Sequence, residues 1–84
     1  MHQIILESQA EKFLKKLDKH EQTRVISKLK ELADNPELGK PLTANLAGLR
    51  SLRMGNYRAL YEIRNQELVI LVLKLGHRKD IYKN

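Results

Sequence analysis

The chain has 84 residues, with 16 Lys and Arg against 10 Asp and Glu, which gives a net charge of +6 at pH 7. This length suits one domain, 1–84, and the absence of cysteine excludes disulfides and zinc–thiolate sites. The N-terminus lacks the pattern of a signal peptide, and the most apolar stretch, LVILVLKL, is far shorter than the roughly 20 residues that span a bilayer. We therefore expect a soluble, cytoplasmic protein with no membrane partner. Its charge favours a polyanionic partner, either a nucleic acid or an acidic protein.

A short strand and two helices are predicted in the first part of the chain. After the apolar segment QIIL, apolar residues spaced i, i+3, i+4 and i+7 from Ala10 to Leu17 indicate an amphipathic helix. Ser8 and Glu11 form the S-x-x-E pattern that is typical of a capping box, and Asp18 begins a similar pattern before a second apolar stripe. Pro36 ends that stripe. Because few residues separate the two helices, we expect them to fold back as a hairpin.

The second half of the chain predicts a loop followed by three strands. The segment NPELGKPLTANLAG contains both prolines and two of the four glycines, and we expect part of this long loop to be ordered. From residue 49 the period changes to two, which predicts the strands LRSLRM, YRALYEIR and LVILVLKL with turns at Gly55–Asn56 and Asn65–Gln66. The third strand is apolar on both faces, which favours a central or doubly covered position.

These elements predict an α+β fold. It contains an N-terminal strand, a two-helix hairpin and a three-stranded antiparallel meander. We expect a small, mostly antiparallel sheet with both helices packed on one face.

Two arginines are predicted to lie opposite each other in the first hairpin. If Gly55–Asn56 is a two-residue turn, Arg53 pairs with Arg58, and both side chains lie on the face directed away from the helices. Directly opposed like charges destabilise a sheet, so we interpret the pair as a grip for a phosphate or carboxylate. The alternatives are that both side chains extend into water, or that they pair with Glu62 and Glu67.

The C-terminal segment GHRKDIYKN adds further basic and proton-transferring groups. Cleavage of a phosphodiester by its own 2′-hydroxyl needs a base, an acid and cations that stabilise the phosphorane. Arg53, Arg58 and Arg78 supply cations in this hypothesis, and Tyr82 or His77 transfers protons. The alternatives are that Tyr82 closes the core and that His77 is an exposed loop residue.

The remaining predictions concern peripheral contacts and absent motifs. Further candidate RNA-binding residues are Arg50, Lys74 and Lys79, although the alternation places Arg50 on the core-facing side, beside Tyr61. The chain has no nucleophilic Cys motif, no G-x-S-x-G, no P-loop and no paired carboxylates for a metal. We therefore predict chemistry without a cofactor or metal.

The order of these motifs resembles the RelE/ParE superfamily of toxins from toxin–antitoxin pairs. The similar segments are LDKHEQTRVISKLKELADNP, GKPLTANLAGLRSLRMGNYRALYEI and LVLKLGHRKDIY, which together cover nearly the whole chain. The positions that match functional positions of RelE-like members are Arg58, Arg78 and Tyr82, and Arg53 lies near a basic strand position of those members.

The resemblance implies a function and partners. RelE-like members are endoribonucleases that cut mRNA in the ribosomal A site without a metal, whereas ParE-like members inhibit DNA gyrase. The first activity is our leading interpretation, and the second is the alternative. A third is a degenerate member that only binds its antitoxin and operator DNA. The implied partners are a RelB-like antitoxin, the ribosome and mRNA, with operator DNA contacted only through the antitoxin.

Overall fold

A computed structural model describes residues 1–79, which form a five-stranded sheet and two helices. The predicted contribution of Tyr82 lies outside the described residues. The elements in chain order are β1 (Gln3–Leu6), α1 (Ser8–Lys16), α2 (Lys19–Asp34), β2 (Lys40–Pro41), β3 (Arg50–Met54), β4 (Tyr57–Arg64) and β5 (Val69–His77). Short 3₁₀ turns cover Pro36–Leu38, Ala44–Leu46 and Asn65–Glu67. The predicted α+β class is confirmed.

The strand order in the sheet is β1-β5-β4-β3-β2. Strand β1 runs parallel to β5, and the other three pairings are antiparallel, so the sheet is mixed but mostly antiparallel. The helical hairpin connects the two outer strands. Four strand spacings amount to about 19 Å, and the 16 residues of α2 rise about 24 Å, enough to carry the chain from one edge to the other. Strand β5 lies inside the sheet, as its apolar sequence predicts.

The core lies between the helices and one face of the sheet. The helices contribute four buried residues, and β3, β4 and β5 contribute the rest: Ala10, Val25, Leu29, Leu32, Leu52, Met54, Ala59, Tyr61, Ile70, Val72 and Leu75. A register shift between Leu60 and Tyr61 leaves Leu73 as an extra residue on β5. Both Val72 and Leu75 are therefore buried although they are three residues apart.

The two predicted helix caps have different outcomes. Asp18 caps α2 as expected, because its carboxylate accepts a hydrogen bond from the backbone N–H of Glu21 at 2.9 Å. The predicted Ser8 cap is wrong, since Ser8 is already helical and Glu7 is the N-cap residue. The backbone N–H of Glu7 donates to the carbonyl of Val72. Pairing with β5 therefore keeps the chain extended through residue 7.

The loops also differ from their sequence patterns. Gly55 adopts φ +68°, which suits the predicted two-residue turn. The second turn is longer than Asn65–Gln66, because a 3₁₀ turn ends on Leu68 in the left-handed conformation at φ 54°. Between the helices and β3, the long loop contains β2, which the sequence reading missed. No helix among residues 1–79 is both long and apolar enough to cross a bilayer.

Candidate functional site

The arginine pair lies in the predicted register. Arg53 is directly opposite Arg58 across β3 and β4, and Leu52 is opposite Ala59. Leu52 and Ala59 are buried in the core, so alternation places both arginines on the sheet face without helices. On its other side Arg58 pairs with Gly76 of β5. Because Gly76 has no side chain, the β5 flank of Arg58 is not crowded by a neighbouring side chain.

The two arginine side chains make different hydrogen bonds. Arg58 Nη1 donates to Ser51 Oγ at 2.9 Å, away from the turn. Arg53 Nε makes a long hydrogen bond of 3.4 Å to the carbonyl of Gly55, at the turn. The two side chains therefore bond towards opposite ends of the hairpin, which reduces their repulsion.

Neither arginine has a carboxylate partner within residues 1–79. Glu62 and Glu67 pair with Arg64, at 3.2 and 3.9 Å. The alternative prediction, that Glu62 and Glu67 form ion pairs with Arg53 and Arg58, is therefore wrong. Arg53 is exposed and Arg58 is half-buried, which leaves both charges available to a ligand.

A pocket of about 280 Å³ opens beside the pair. We call it the arginine pocket, and its lining residues are Leu38, Gly39, Lys40, Ser51, Leu52, Arg53 and Arg58. Among the described residues, the lining combines three cations with one hydroxyl and contains no Asp or Glu. Such a lining suits an anion with several oxygen acceptors, of which a phosphodiester is the commonest in nucleic acids.

The tail residues line a second pocket beside the β3–β4 turn. The backbone N–H of Arg78 donates to the carbonyl of Asn56 at 3.0 Å, which holds the chain after β5 against the turn. This tail pocket has a volume of about 260 Å³ and is lined by Asn56, His77, Arg78 and Lys79. Among residues 1–79, the two pockets share no lining residue. The structure thus brings Arg53 and Arg58 together, and places Arg78 and Lys79 in a neighbouring pocket.

His77 lies on the helix side of the sheet. Strand β5 continues through His77 rather than ending at Gly76, and His77 pairs with Tyr57. Its ring lies 5.3 Å from that of Tyr57 and 5.9 Å from that of Phe13, between ring centroids. Because neighbouring strand residues face opposite sides, His77 is separated from Arg58 by the sheet itself. Sequence reasoning missed this because Gly76 suggested a strand end.

Tyr57 completes this aromatic cluster. Its ring packs edge-on against Phe13 at 5.7 Å. Partial burial raises the pKa of the Tyr57 phenol above its ordinary value of 10.0, and the negative charge of Glu21 raises this pKa further. The phenol therefore stays protonated at neutral pH and acts as a packing and hydrogen-bonding group.

Two further predicted RNA-binding residues, Arg50 and Lys74, lie on opposite faces of the sheet. Arg50 lies opposite Tyr61, and its Nη2 donates to the carbonyls of Gly39 at 2.8 Å and Glu37 at 3.2 Å. Its side chain thus anchors a loop and does not line the arginine pocket. Lys74 lies opposite Leu60 on β5. It is two residues before Gly76, on the face that carries Arg58.

Sequence reasoning missed the two other polar side chains of the arginine pocket, those of Lys40 and Ser51. Lys40 belongs to a strand of two residues, β2, which is too short to produce a periodic pattern. Ser51 is detectable in principle, because it precedes Arg53 by two residues and therefore shares its face. Among residues 1–79, no group of three or more His, Cys, Asp or Glu side chains could hold a metal ion.

Comparison with known proteins identifies the family. A family profile described as "ParE toxin of type II toxin-antitoxin system, parDE" matches residues 4–82. The chain belongs to the RelE/ParE superfamily of type II toxin–antitoxin toxins. A putative RelE-like toxin protein of Escherichia coli is 32% identical over 88 residues, which cover 96% of the chain and 90% of that protein.

Other RelE/ParE relatives include a shorter match and a solved complex. Toxin RelG of Mycobacterium tuberculosis is 46% identical over 46 residues, which cover 55% of the chain. The chain therefore spans about half of the length of RelG, 53%. The toxin–antitoxin complex RelBE2 of Mycobacterium tuberculosis contains a chain with a TM-score of 0.83 and 32% identity, covering 92% of our chain and 98% of that chain.

Proposed function

We propose that this RelE/ParE toxin is a ribosome-dependent endoribonuclease that cuts mRNA in the A site. The observation that carries the proposal is the arginine pocket, in which Arg53, Arg58 and Ser51 Oγ lie together with no carboxylate among the lining residues within 1–79. Cations without a carboxylate partner among residues 1–79 suit a phosphodiester ligand. The similarity to toxin RelG and to a putative RelE-like toxin protein supports a place among the RelE-like members of the superfamily.

The pocket groups fit an attack by the 2′-hydroxyl on the adjacent phosphorus. The 2′-oxygen–phosphorus bond forms and the bond to the 5′ oxygen breaks, giving a 2′,3′-cyclic phosphate and a 5′-hydroxyl. Arg53 and Arg58 neutralise the negative charge that develops on the phosphorane oxygens. Arg78 and Lys79, in the tail pocket, bind the RNA backbone beside the cleaved phosphate. The binding energy of these contacts also positions the RNA for in-line attack.

Proton transfer is assigned to Tyr82 rather than to His77. His77 packs with Phe13 and Tyr57 on the helix side of the sheet, across from Arg58. The exposed His77 lines the tail pocket and not the arginine pocket, so we place it beside the RNA backbone rather than at the cleaved phosphate. In the proposed reaction, Tyr82 takes the proton of the 2′-hydroxyl or returns one to the 5′ oxygen.

The test maps the 5′ ends of mRNA on translating ribosomes with and without the protein. We expect new ends within the A-site codon, and their yield should fall about 100-fold in Arg58→Ala, since removing one donor of a preorganised charge site has an effect of that order. Arg78→Ala should weaken cutting by a smaller factor. Arg64→Ala is the matched control, because Arg64 pairs with Glu62 and Glu67. Unchanged mRNA ends with the folded wild-type protein would contradict the proposal.

The second candidate function is inhibition of DNA gyrase without catalysis. The description of the matching family profile as a ParE toxin favours this candidate. A supercoiling assay with purified gyrase distinguishes the two functions. The endoribonuclease should leave supercoiling unchanged at concentrations that cut ribosomal mRNA, whereas a gyrase inhibitor should block supercoiling and leave mRNA intact.

The proposed partner is an acidic, RelB-like antitoxin. The similarity to the toxin of the RelBE2 complex supports this partner, and the net charge of +6 suits an acidic binding segment. Contact with operator DNA would occur through the antitoxin. Expression of the toxin alone should arrest growth, and coexpression of an adjacent reading frame for a small acidic protein should restore it.

A further inference from the structure

Strand β2 brings a lysine to the arginine face. Lys40 pairs with Ser51 across the antiparallel β2–β3 ladder. Residues directly opposite in such a ladder project from the same face of the sheet. Ser51 precedes Arg53 by two residues, so these two also share a face. The side chains of Lys40, Ser51 and Arg53 therefore all emerge on the sheet face without helices.

Lys40 is an exposed lining residue of the arginine pocket. Within residues 1–79 it has no ion pair or hydrogen bond through its ammonium group. The third positive charge of this pocket, whose described lining contains no carboxylate, is thus available to an incoming anion. A lysine contributes three donors on a flexible chain, which complements the fixed planar groups of Arg53 and Arg58.

A buried network holds the loop that carries Lys40. The Tyr61 hydroxyl donates to the carbonyl of Pro36 at 2.7 Å and accepts from the N–H of Gly39 at 3.0 Å. Arg50 Nη2 donates to the carbonyl of Gly39 at 2.8 Å. A Cβ atom on Gly39 would lie 2.6 Å from the carbonyl oxygen of Ser51, so only glycine permits this close approach of the loop to β3.

From this arrangement we infer that Lys40 binds the same RNA phosphate as Arg53 and Arg58, and that the Tyr61–Gly39–Arg50 network positions it. The inference deepens the proposed ribonuclease function and rests on it for the identity of the ligand. The inference also explains why Arg50, a basic residue in the same strand as Arg53, is directed at backbone carbonyls. Arg50 fixes the loop, and Lys40 contacts the anion.

The test measures binding of the isolated protein to a short, fluorescently labelled single-stranded RNA. A 2′-deoxy substitution at the cleaved position prevents cutting during the measurement. Lys40→Ala should weaken binding about tenfold, the typical effect of losing one charge-assisted hydrogen bond. Lys40→Arg should bind within about threefold of wild type, because it retains a cation with several donors. The matched control is Lys30→Ala, which removes an equal charge from the exposed face of α2.

The outcomes separate this inference from the proposed function. If Lys40→Ala binds RNA as well as Lys30→Ala does, the inference is overturned, even when wild type cuts ribosomal mRNA and Arg58→Ala does not. If Lys40→Ala loses affinity but wild type leaves ribosomal mRNA intact, the phosphate contact holds and the proposed function fails. An absence of RNA binding by the wild type would overturn the inference directly.

A second experiment tests whether the Tyr61–Gly39–Arg50 network positions Lys40. Tyr61→Phe removes the hydroxyl that joins Pro36 to Gly39 and should weaken RNA binding a few-fold. In that background Lys40→Ala should have a smaller effect than in wild type, because the ammonium is already displaced. Independent, multiplicative effects of the two substitutions on affinity would overturn the positioning role. Circular dichroism confirms that each variant is folded.

Discussion

At the scale of single residues, the arginine pair lowers the stability of the sheet and provides two cations for a ligand. Arg53 and Arg58 are directly opposed across β3 and β4, and like charges in that position oppose strand pairing. Their side chains reduce the repulsion by bonding to Gly55 and Ser51, towards opposite ends of the hairpin. A bound phosphodiester would offset part of the remaining repulsion, because it places one negative charge between the two arginines.

We therefore predict that Arg53→Thr separates stability from activity. Threonine favours strands and removes the like-charge contact, so the free energy of unfolding should rise by about 0.3 kcal/mol. Cutting of ribosomal mRNA should nevertheless fall, because one phosphate contact is lost. Urea denaturation measures the first quantity and primer extension the second. A variant that is less stable than wild type by more than about 0.5 kcal/mol would contradict this account of the pair.

At the scale of elements, the two helix starts show how a strand can move a cap. Ser8 and Asp18 both begin patterns that are typical of capped helices, but only the Asp18 side chain accepts a hydrogen bond from its helix. The hydrogen bond from Glu7 to Val72 extends the pairing with β5 by one residue. Ser8 is consequently drawn into the first turn of α1, where its hydroxyl has no capping role.

Two matched alanine substitutions test this difference. Asp18→Ala should lower the free energy of unfolding by about 1 kcal/mol, since it removes an N-cap bond and a negative charge at the helix N-terminus. Ser8→Ala should change it by less than about 0.3 kcal/mol, because alanine is the better helix former and no cap is lost. Thermal or urea unfolding of both variants is the measurement. Equal losses would show that Ser8 also caps its helix in solution.

At the scale of the whole molecule, the two faces of the sheet have different roles. One face packs on α1 and α2 and contains the aromatic cluster of Phe13, Tyr57 and His77. The opposite face carries the arginine pocket. The cations of the arginine pocket and those of the tail pocket, which contains Asn56 of the β3–β4 turn, are consistent with the net charge of +6.

This distribution of charge predicts a strong salt dependence of RNA binding. The two pockets are lined by five Lys and Arg residues. If the three cations of the arginine pocket share one phosphate and Arg78 and Lys79 each neutralise another, the plot of log affinity against log salt should have a slope of about −2.1 for a single-stranded RNA. Arg78→Ala should reduce the magnitude of the slope by about 0.7, and Lys30→Ala should leave it unchanged. Titration at several salt concentrations measures both slopes, and equal slopes for the two variants would argue against a local phosphate contact at Arg78.

The sequence by itself determined the features that depend on local pattern. Alternation and the Gly55–Asn56 turn were sufficient to place Arg53 opposite Arg58, because a two-residue turn fixes the register of a hairpin. Helical periodicity and Asp18 defined α2, and the apolar β5 indicated an interior strand. The order of the motifs also indicated the RelE/ParE superfamily, which the match over residues 4–82 shows.

Only the tertiary structure decided the features that depend on contacts distant in sequence. The two-residue β2 exists because Tyr61, 22 residues after Gly39, holds the loop against the sheet. A strand held in this way has no local sequence pattern from which it could be predicted. The continuation of β5 past Gly76 turned His77 to the helix side, where Phe13 and Tyr57 stabilise it. Strand pairing determines the face of the sheet from which a side chain projects, and long-range packing determines which residues pair. For this reason Lys40 lines the arginine pocket and His77 does not.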